Sequence, residues 1–167
     1  EGETAMTKIL VRNGDRVFAE YIEGVQKDAK LPREKLENAD QYDLIHFSVW
    51  GFGREHIKWL RENTDAVLSC DFSNQIEDPR TEIMPHLDYC FFSGSHLIKQ
   101  GKYPEETVKK LKNRTPGLVV MTLGEAGSMV YDGEKIYRGK AQPVKVVDTL
   151  GAGDSYIAAF LYAVMNG

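Results

Sequence analysis

The sequence predicts an α/β fold in which a mostly parallel sheet carries helices on both of its faces. Short apolar runs of strand length alternate along the chain with longer segments of helical character. Parallel strands require crossover connections, which are usually helices, so this alternation is typical of a parallel sheet covered on both sides. The apolar runs that we predict as strands are 43–49, 66–72, 89–93, 118–123 and 144–147.

Two hairpins and several helices complete this prediction. Residues 5–11 and 16–21 flank Asn13-Gly14, a dipeptide that favours a tight β-turn, and Asp132-Gly133 marks a second turn of the same kind. We expect a short helix after Pro32, because proline is favoured in the first turn of a helix. Further helices are expected at 54–62, 80–86, 104–112 and 157–166.

Composition indicates one domain that handles small molecules. The chain has 167 residues, 42% of them hydrophobic, which suffices for a sizeable core. Its 21 basic and 25 acidic residues give a net charge of −4 and are interleaved, so we expect no nucleic-acid partner. No apolar run has the length of a membrane span, and no secretory pattern is present, so we expect a cytoplasmic protein without a membrane partner. Cys70 and Cys90 are then expected to be reduced core thiols.

Several reaction classes lack their motifs in this sequence. The four histidines do not have the spacing of zinc ligands, so a metal site built from histidine is not expected. No Gly-x-Ser-x-Gly elbow supports serine hydrolase chemistry, and no Walker P-loop string is present. The turn at 151–154 also fails as a dinucleotide fingerprint, because Tyr156 stands where a third small residue is needed.

One stretch, 148–154, has the properties of an anion site with a base beside it. An apolar run leads into Gly151, Ala152 and Gly153, and an apolar helix is expected to follow. The first N–H groups of a helix have no intrahelical partners, and small residues let an anion approach them closely. Asp154 would repel that anion, so its presence indicates a task such as taking a proton from an attacking hydroxyl. The alternative is a tightly packed turn in which Asp154 only offsets the helix dipole.

Polar side chains also follow the predicted strands. Asp71, Ser93, Thr122 and Asp148 each stand at or near the end of an apolar run. Ligands of open α/β sheets bind beyond the carboxyl ends of the strands. We therefore expect these four residues along one edge of the sheet, beside the anion turn.

The segment 148–154, with the apolar helix after it, resembles the C-terminal signature of the ribokinase-like (PfkB) carbohydrate kinases. The run 122–127 resembles the Thr-x-Gly-x-x-Gly nucleotide-binding loop of that family, and the N-terminal hairpin resembles its β lid. The resemblance implies a ribokinase-like, mostly parallel sheet with a small β-hairpin lid. It also implies a lid portion at 1–24 and an incomplete α/β core at 25–167.

The resemblance assigns roles to the residues of the site. Asp154 would be the general base, and Gly151, Ala152 and Gly153 would form the anion hole for the transferring phosphoryl group. Asp148 and the carbonyl of Leu150 would hold a monovalent cation. The implied substrates and cofactors are a sugar, ATP, Mg²⁺ and K⁺. The residues expected to line the nucleotide are Ser93, Thr122, Leu123, Gly124, Glu125, Ala126, Gly127 and Gly153.

Within the family, the runs 15–25 and 71–73 look most like the fructoselysine kinases, which implies fructoselysine or a related fructosamine as acceptor. The alternatives are a fructokinase, a ketodeoxygluconate kinase, a nucleoside kinase, or a non-catalytic module that binds a nucleotide or a sugar. One departure is that 93–96 reads Ser-Gly-Ser-His instead of the usual Asn-x-x-Glu, whose carboxylate organises magnesium-bound water. We expect the chain to be a fragment without both family termini, and the resemblance implies a homodimer formed through the lid.

Overall fold

A computed structural model of the protein describes residues 2–12 and 15–167. The predicted Asn13-Gly14 turn lies outside the described residues. The chain divides into two compact units, of which the first ends at Lys35 and the second runs from Leu36 to Gly167. The predicted division into a lid portion, 1–24, and a core, 25–167, stays a prediction.

The first unit contains an antiparallel pair of strands, β1 (Met6–Arg12) and β2 (Asp15–Ile22). The register shifts between Lys8 and Ile9, which marks a bulge and explains the imperfect alternation of apolar and polar residues in the sequence. After β2, the Val25 N–H donates to the Glu3 carbonyl at 2.8 Å, which ties the following turn to the start of β1.

The second unit is built on a six-stranded sheet with the order β3-β4-β5-β6-β7-β8. The strands β3 (Leu44–Ser48), β4 (Val67–Asp71), β5 (Tyr89–Ser93) and β6 (Leu118–Thr122) run parallel. Two antiparallel strands, β7 (Ser128–Tyr131) and β8 (Ile136–Gly139), extend the sheet beyond β6. The three middle residues of β4, β5 and β6 are buried, as expected for parallel strands covered on both faces. The predicted α/β class is confirmed.

Four helices belong to this unit: α1 (Ile57–Asn63), α2 (Ser95–Lys99), α3 (Pro104–Lys112) and α4 (Ala152–Asn166). Consecutive strand residues point to opposite faces, and the two hydrophobic clusters divide in this way. Phe92 packs in one cluster with residues of α1, α2 and α3, whereas Phe91 packs in the other with α4. The short α2 has no counterpart in the sequence prediction. Short 3₁₀ helices complete the described elements at Gly24–Asp28, Arg33–Leu36, Ala39–Gln41, Phe52–His56, Pro79–His86 and Gly124–Ala126.

The predicted strand at 144–147 is wrong. Within the described residues neither sheet includes this segment, and Val144, Val146 and Val147 are 75%, 65% and 93% exposed. A strand is stable only when a neighbour completes its hydrogen-bond ladder, and apolar character alone does not supply one. Asp148 therefore does not end a strand, and α4 begins at Ala152 rather than at 157.

The two cysteines are unpaired and buried in the sheet, as predicted. Burial raises the pKa of both thiols, to about 12 for Cys90, so neither forms a reactive thiolate near neutral pH. Among the helices that the structure describes, none combines the length and the apolar character needed to cross a bilayer.

Candidate active site

Three of the four predicted edge residues are the last residues of neighbouring parallel strands. Asp71 ends β4, Ser93 ends β5 and Thr122 ends β6, with Ser93 and Thr122 paired in the register. The Ser93 N–H donates to the Ser73 carbonyl at 2.7 Å, which joins the edge of β5 to the turn that follows β4. The carboxyl edge of the sheet therefore brings these polar side chains together.

Ser73 itself is in an unusual conformation, with φ +52°. Its N–H donates to Asp71 Oδ1 at 2.7 Å, and this turn stabilises a left-handed backbone that a residue with a side chain seldom adopts. Such strain persists where the surrounding structure enforces it, and it clusters at functional sites.

The predicted nucleotide loop follows β6 directly. The Leu123 N–H donates to the Gly127 carbonyl at 2.8 Å, which closes the loop around the exposed residues Gly124, Glu125 and Ala126. Gly124 and Gly127 have φ values of +62° and +91°, so both positions favour glycine. The Leu123 side chain is only 7% exposed and belongs to the core, which leaves its backbone for any ligand contact.

We expect Gly127→Ala to lower the free energy of unfolding by about 2–3 kcal/mol. A Cβ at this left-handed position would overlap the Gly139 carbonyl oxygen and lie 3.1 Å from the Ala141 nitrogen, and backbone atoms cannot turn aside. The matched control is Gly133→Ala, with φ +114° but only the flexible Lys112 side chain nearby, which should cost about 1 kcal/mol. Urea unfolding of both variants measures the difference, and equal losses would contradict the role of the Gly139 contact.

The predicted anion turn caps the start of α4. Gly151 is the N-cap residue with φ +74°, and the Ser155 N–H makes the first helical bond to its carbonyl at 2.8 Å. Of the predicted anion-hole groups, the Ala152 N–H donates to the Thr149 carbonyl at 3.3 Å. Gly153 lies in the first turn, and a Cβ built there meets no atom within 4 Å, so its backbone can be approached closely.

Asp154 lies on α4 beside a groove of about 860 Å³ that also reaches β3. The carboxylate is exposed in the first turn of the helix, as the sequence predicted. His46 of β3 lines the same groove, and its Nδ1 lies 2.8 Å from Ser69 Oγ. No sequence pattern predicts a role for His46, because only the parallel register that pairs it with Ser69 and the packing of α4 place it in the groove that Asp154 also lines.

The electrostatics of this region link His46, Asp71 and Asp154. Burial lowers the pKa of His46, while the negative charges of Asp71 and Asp154 oppose that change. Burial likewise raises the pKa of Asp71. The hydrogen bond from the Ser73 N–H and the interaction with His46 lower this pKa, whereas the negative charge of Asp154 raises it further. A neutral imidazole and two carboxylates therefore influence one another's protonation at the carboxyl side of β3 and β4.

Asp71→Asn should stabilise the protein more at pH 7 than at about pH 3.5. Because burial raises the pKa of Asp71 in the folded state, folding favours its protonated form. Stability therefore falls as the pH rises from the unfolded pKa to the folded pKa, and the whole penalty is present above the folded pKa. Below the unfolded pKa this difference disappears. Urea unfolding at both pH values, with the wild-type protein in parallel, measures it; a larger gain at the acidic pH would contradict the burial of the charge.

The two groups that the sequence predicts as ligands of a monovalent cation lie just before α4. The Leu150 N–H donates to Asp148 Oδ1 at 2.9 Å, which brings the carboxylate and the Leu150 peptide together. Asp148 Oδ2 and the Leu150 carbonyl remain as hard oxygen donors, which suit K⁺ chemically. In the described part of the chain, no group of three or more His, Cys, Asp or Glu side chains has the arrangement of a metal site.

Comparison with known proteins identifies relatives along nearly the whole chain. The family described as "pfkB family carbohydrate kinase" matches residues 3–167. The fructoselysine 6-kinase of Escherichia coli (strain K12) is 37% identical over 161 residues, which cover 96% of this chain and 60% of that protein. The fructosamine kinase of Bacillus subtilis (strain 168) is 32% identical over 167 residues, covering 97% of this chain and 57% of the relative.

A solved structure has the same fold. Ribokinase from Thermotoga maritima superposes with a TM-score of 0.77 at 21% identity, covering 99% of this chain and 58% of that chain. This likeness confirms the predicted ribokinase-like architecture. The chain spans about 60% of the length of the curated relatives it matches.

Proposed function

Because the chain belongs to the pfkB family of carbohydrate kinases, we propose that it is part of an enzyme that transfers the γ-phosphoryl group of ATP to a sugar hydroxyl. The observation that carries this proposal is the position of Asp154, an exposed carboxylate in the first turn of α4, directly after a turn of small residues. A base and an anion-binding helix terminus thus occur within one turn of helix.

In this proposal Asp154 takes the proton from the acceptor hydroxyl while that oxygen attacks the γ-phosphorus, and the bond from this phosphorus to the β,γ-bridging oxygen breaks to release ADP. The N–H groups of Gly151, Ala152 and Gly153 stabilise the charge on the transferring phosphoryl group, which strengthens as the transition state forms. The Ala152 N–H would first have to leave the Thr149 carbonyl. The hydrogen bond between them is long, at 3.3 Å, and therefore weak. Apart from this exchange at Ala152, backbone donors at the start of a helix need little rearrangement, so they contribute directly to the rate.

The nucleotide would lie along the edge formed by Ser93, Thr122 and the loop 123–127. Support comes from the exposure of Gly124, Glu125 and Ala126 and from the two left-handed glycines, which leave backbone groups open to a ligand. Mg²⁺ bound to ATP would neutralise phosphate charge, held mainly by phosphate and water oxygens. Asp148 and the Leu150 carbonyl would hold K⁺ beside the anion turn.

For the acceptor we propose fructoselysine or a related fructosamine. The support is the similarity to a fructoselysine 6-kinase and a fructosamine kinase along 96% and 97% of this chain. The 5-dehydro-2-deoxygluconokinase of Halalkalibacterium halodurans, by contrast, matches only 38% of the chain, although at 45% identity. The similarity to the fructosamine-type relatives extends well beyond the length of the signature segment.

The experiment is phosphate transfer from ATP by the complete gene product, assayed with fructoselysine, fructose, ketodeoxygluconate and a nucleoside, each with and without K⁺. We expect fructoselysine to have the highest kcat/KM and K⁺ to increase the rate. Preference for another acceptor would reject the fructosamine assignment and retain the kinase. ATP binding without transfer to any acceptor would reject the kinase and favour a non-catalytic module, with the Ser-Gly-Ser-His run at 93–96 as the first segment to alter.

We also propose that two copies associate through the β1–β2 pair. Met6 and Tyr21 on these strands are 52% and 57% exposed and point to opposite faces of the pair, so each face has an apolar side chain available to a second copy. Light scattering of the complete gene product measures the molar mass, and a monomer at micromolar concentration would reject the association.

The cytoplasmic location expected from the sequence stays a prediction.

A further inference from the structure

Trp50 and Arg80 form a stacked pair just beyond the carboxyl end of β3. The Arg80 guanidinium carbon lies 3.8 Å from the centroid of the Trp50 ring. Trp50 belongs to the turn after β3, and the Val49 N–H ties this turn to the Asp71 carbonyl at the end of β4, at 2.8 Å. Trp50 is nevertheless 55% exposed, so Arg80 covers one face of a ring whose remaining surface is open to a ligand.

Asp78 holds the guanidinium in a fixed orientation. Arg80 Nε donates to Asp78 Oδ1 at 2.7 Å and Arg80 Nη2 donates to Oδ2 at 2.6 Å, which makes a bidentate pair. The Asp78 carboxylate also accepts the Arg80 backbone N–H at 2.8 Å, as the N-cap of the 3₁₀ helix Pro79–His86. These hydrogen bonds lower the pKa of Asp78, so the pair stays ionised at neutral pH. A guanidinium that is already fixed needs little reordering to bind a second anion.

One edge of this guanidinium remains for a ligand. The pair with Asp78 uses Nε and one N–H of Nη2, whereas an arginine has five N–H donors. Nη1 and the second N–H of Nη2 form the terminal edge, whose spacing matches the two oxygens of a carboxylate. The Arg80 side chain is partly exposed, so the core does not close this edge off. A carboxylate bound there would lie beside the exposed ring of Trp50.

The stacked pair lies on the side of the sheet edge where the proposed function places the acceptor. Asp154, the proposed base, lines a groove that reaches β3, whereas the proposed nucleotide site follows β5 and β6. Because the acceptor hydroxyl has to meet Asp154, we expect the rest of the acceptor to extend over the carboxyl ends of β3 and β4. In fructoselysine the carboxylate belongs to the lysine part, at the end of the molecule away from the sugar hydroxyls.

We propose that Arg80 and Trp50 bind the amino-acid part of the acceptor, with Arg80 on its α-carboxylate and Trp50 against its methylene chain. The inference rests on the proposed function and names the chemical group that the enzyme selects in its acceptor. Arg80 is then a specificity-determining residue, and Asp78 is a positioning residue that orients it. An acceptor without the carboxylate leaves the terminal edge of Arg80 without a partner and binds more weakly.

The first test measures binding and needs no turnover. Calorimetric titration of the complete gene product compares fructoselysine with the fructosamine of cadaverine, which lacks only the carboxylate. We expect the Kd of the decarboxylated compound to be about tenfold higher, because it loses a bidentate, charge-assisted pair. Equal Kd values, or no binding of fructoselysine, would overturn the proposal.

The second test assigns this difference to Arg80. Arg80→Gln should raise the Kd of fructoselysine about tenfold and leave that of the cadaverine compound within about twofold, so the discrimination disappears. Arg80→Lys keeps the charge without the parallel donors and should retain only part of the discrimination. The matched control is Arg138→Gln, which removes another arginine–carboxylate pair, with Glu105 at 2.8 Å, on the distant strand β8. It should leave both Kd values unchanged.

A purely structural role of Arg80 predicts a different pattern. If Arg80 only stabilised the start of the 3₁₀ helix, Arg80→Gln would lower Tm and weaken the binding of both compounds equally, which would overturn the proposal. Should Arg80→Gln fail to fold, Arg80→Lys takes its place, and unchanged discrimination in that variant would overturn the proposal as well.

Steady-state kinetics on the wild-type protein separate this inference from the proposed function. Phosphate transfer with equal kcat/KM for the two compounds would overturn the carboxylate site and retain the kinase. Selective binding of fructoselysine without any transfer would refute the proposed function and support the carboxylate site.

Discussion

Asp154→Asn is expected to lower kcat for phosphate transfer about a thousandfold while the protein remains folded. The amide has the size of the carboxylate but cannot accept the proton of the attacking hydroxyl. The folded state loses only the favourable interaction of a negative charge with the start of α4, which contributes about 0.3–1 kcal/mol at an exposed position. Substrate binding should change far less than turnover, because the proton moves only as the transition state forms.

The measurement is a coupled ATPase assay with the best acceptor, together with a thermal unfolding curve for each variant. Asp65→Asn is the matched control, because Asp65 is an exposed aspartate just before β4, at the opposite edge of the sheet. It should retain full activity. If Asp154→Asn turned over at the wild-type rate, Asp154 would not be the base, and the alternative of a carboxylate that only offsets the helix dipole would hold.

Gly153→Ala is expected to reduce turnover about a hundredfold without loss of stability. A Cβ at Gly153 meets no neighbouring atom within 4 Å, so the methyl group would stand in the open space through which, in the proposed mechanism, the phosphoryl group reaches the helix N–H groups. Within the helix, alanine is preferred over glycine by about 1 kcal/mol, so the unfolding free energy should stay equal or rise. Activity and stability would thus change in opposite directions.

Ser155→Ala is the control for this variant, since it also places alanine in the first turn of α4 but leaves the glycine turn unchanged. We expect it to keep wild-type kcat. Unfolding in urea and steady-state kinetics on both variants give the two quantities. A Gly153→Ala protein with normal kcat would show that no anion approaches this backbone, and would remove the anion hole from the mechanism.

Much of the site could be predicted from the sequence because its chemistry is local. The turn 148–154 combines small residues, a helix start and a carboxylate within a few positions, and the structure has Asp154 in the first turn as expected. The same holds for the loop after β6, where Gly124 and Gly127 have left-handed backbones. The prediction of a strand at 144–147 was wrong for the opposite reason, because a strand needs a neighbouring strand to pair with, and local composition does not reveal one.

The alternation of strands and helices, the buried cysteines, the family and the short motifs could be predicted from the sequence, because each is recorded in residues that are close together in the chain. The meeting of residues far apart in the chain became visible in the folded structure alone. His46 and Ser69 are 23 positions apart and meet through the parallel register of β3 and β4. Asp154 lines the same groove as His46 because α4 packs on the face that bears Phe91. Pairing between strands and packing between layers are long-range interactions, and no local pattern in the sequence records them.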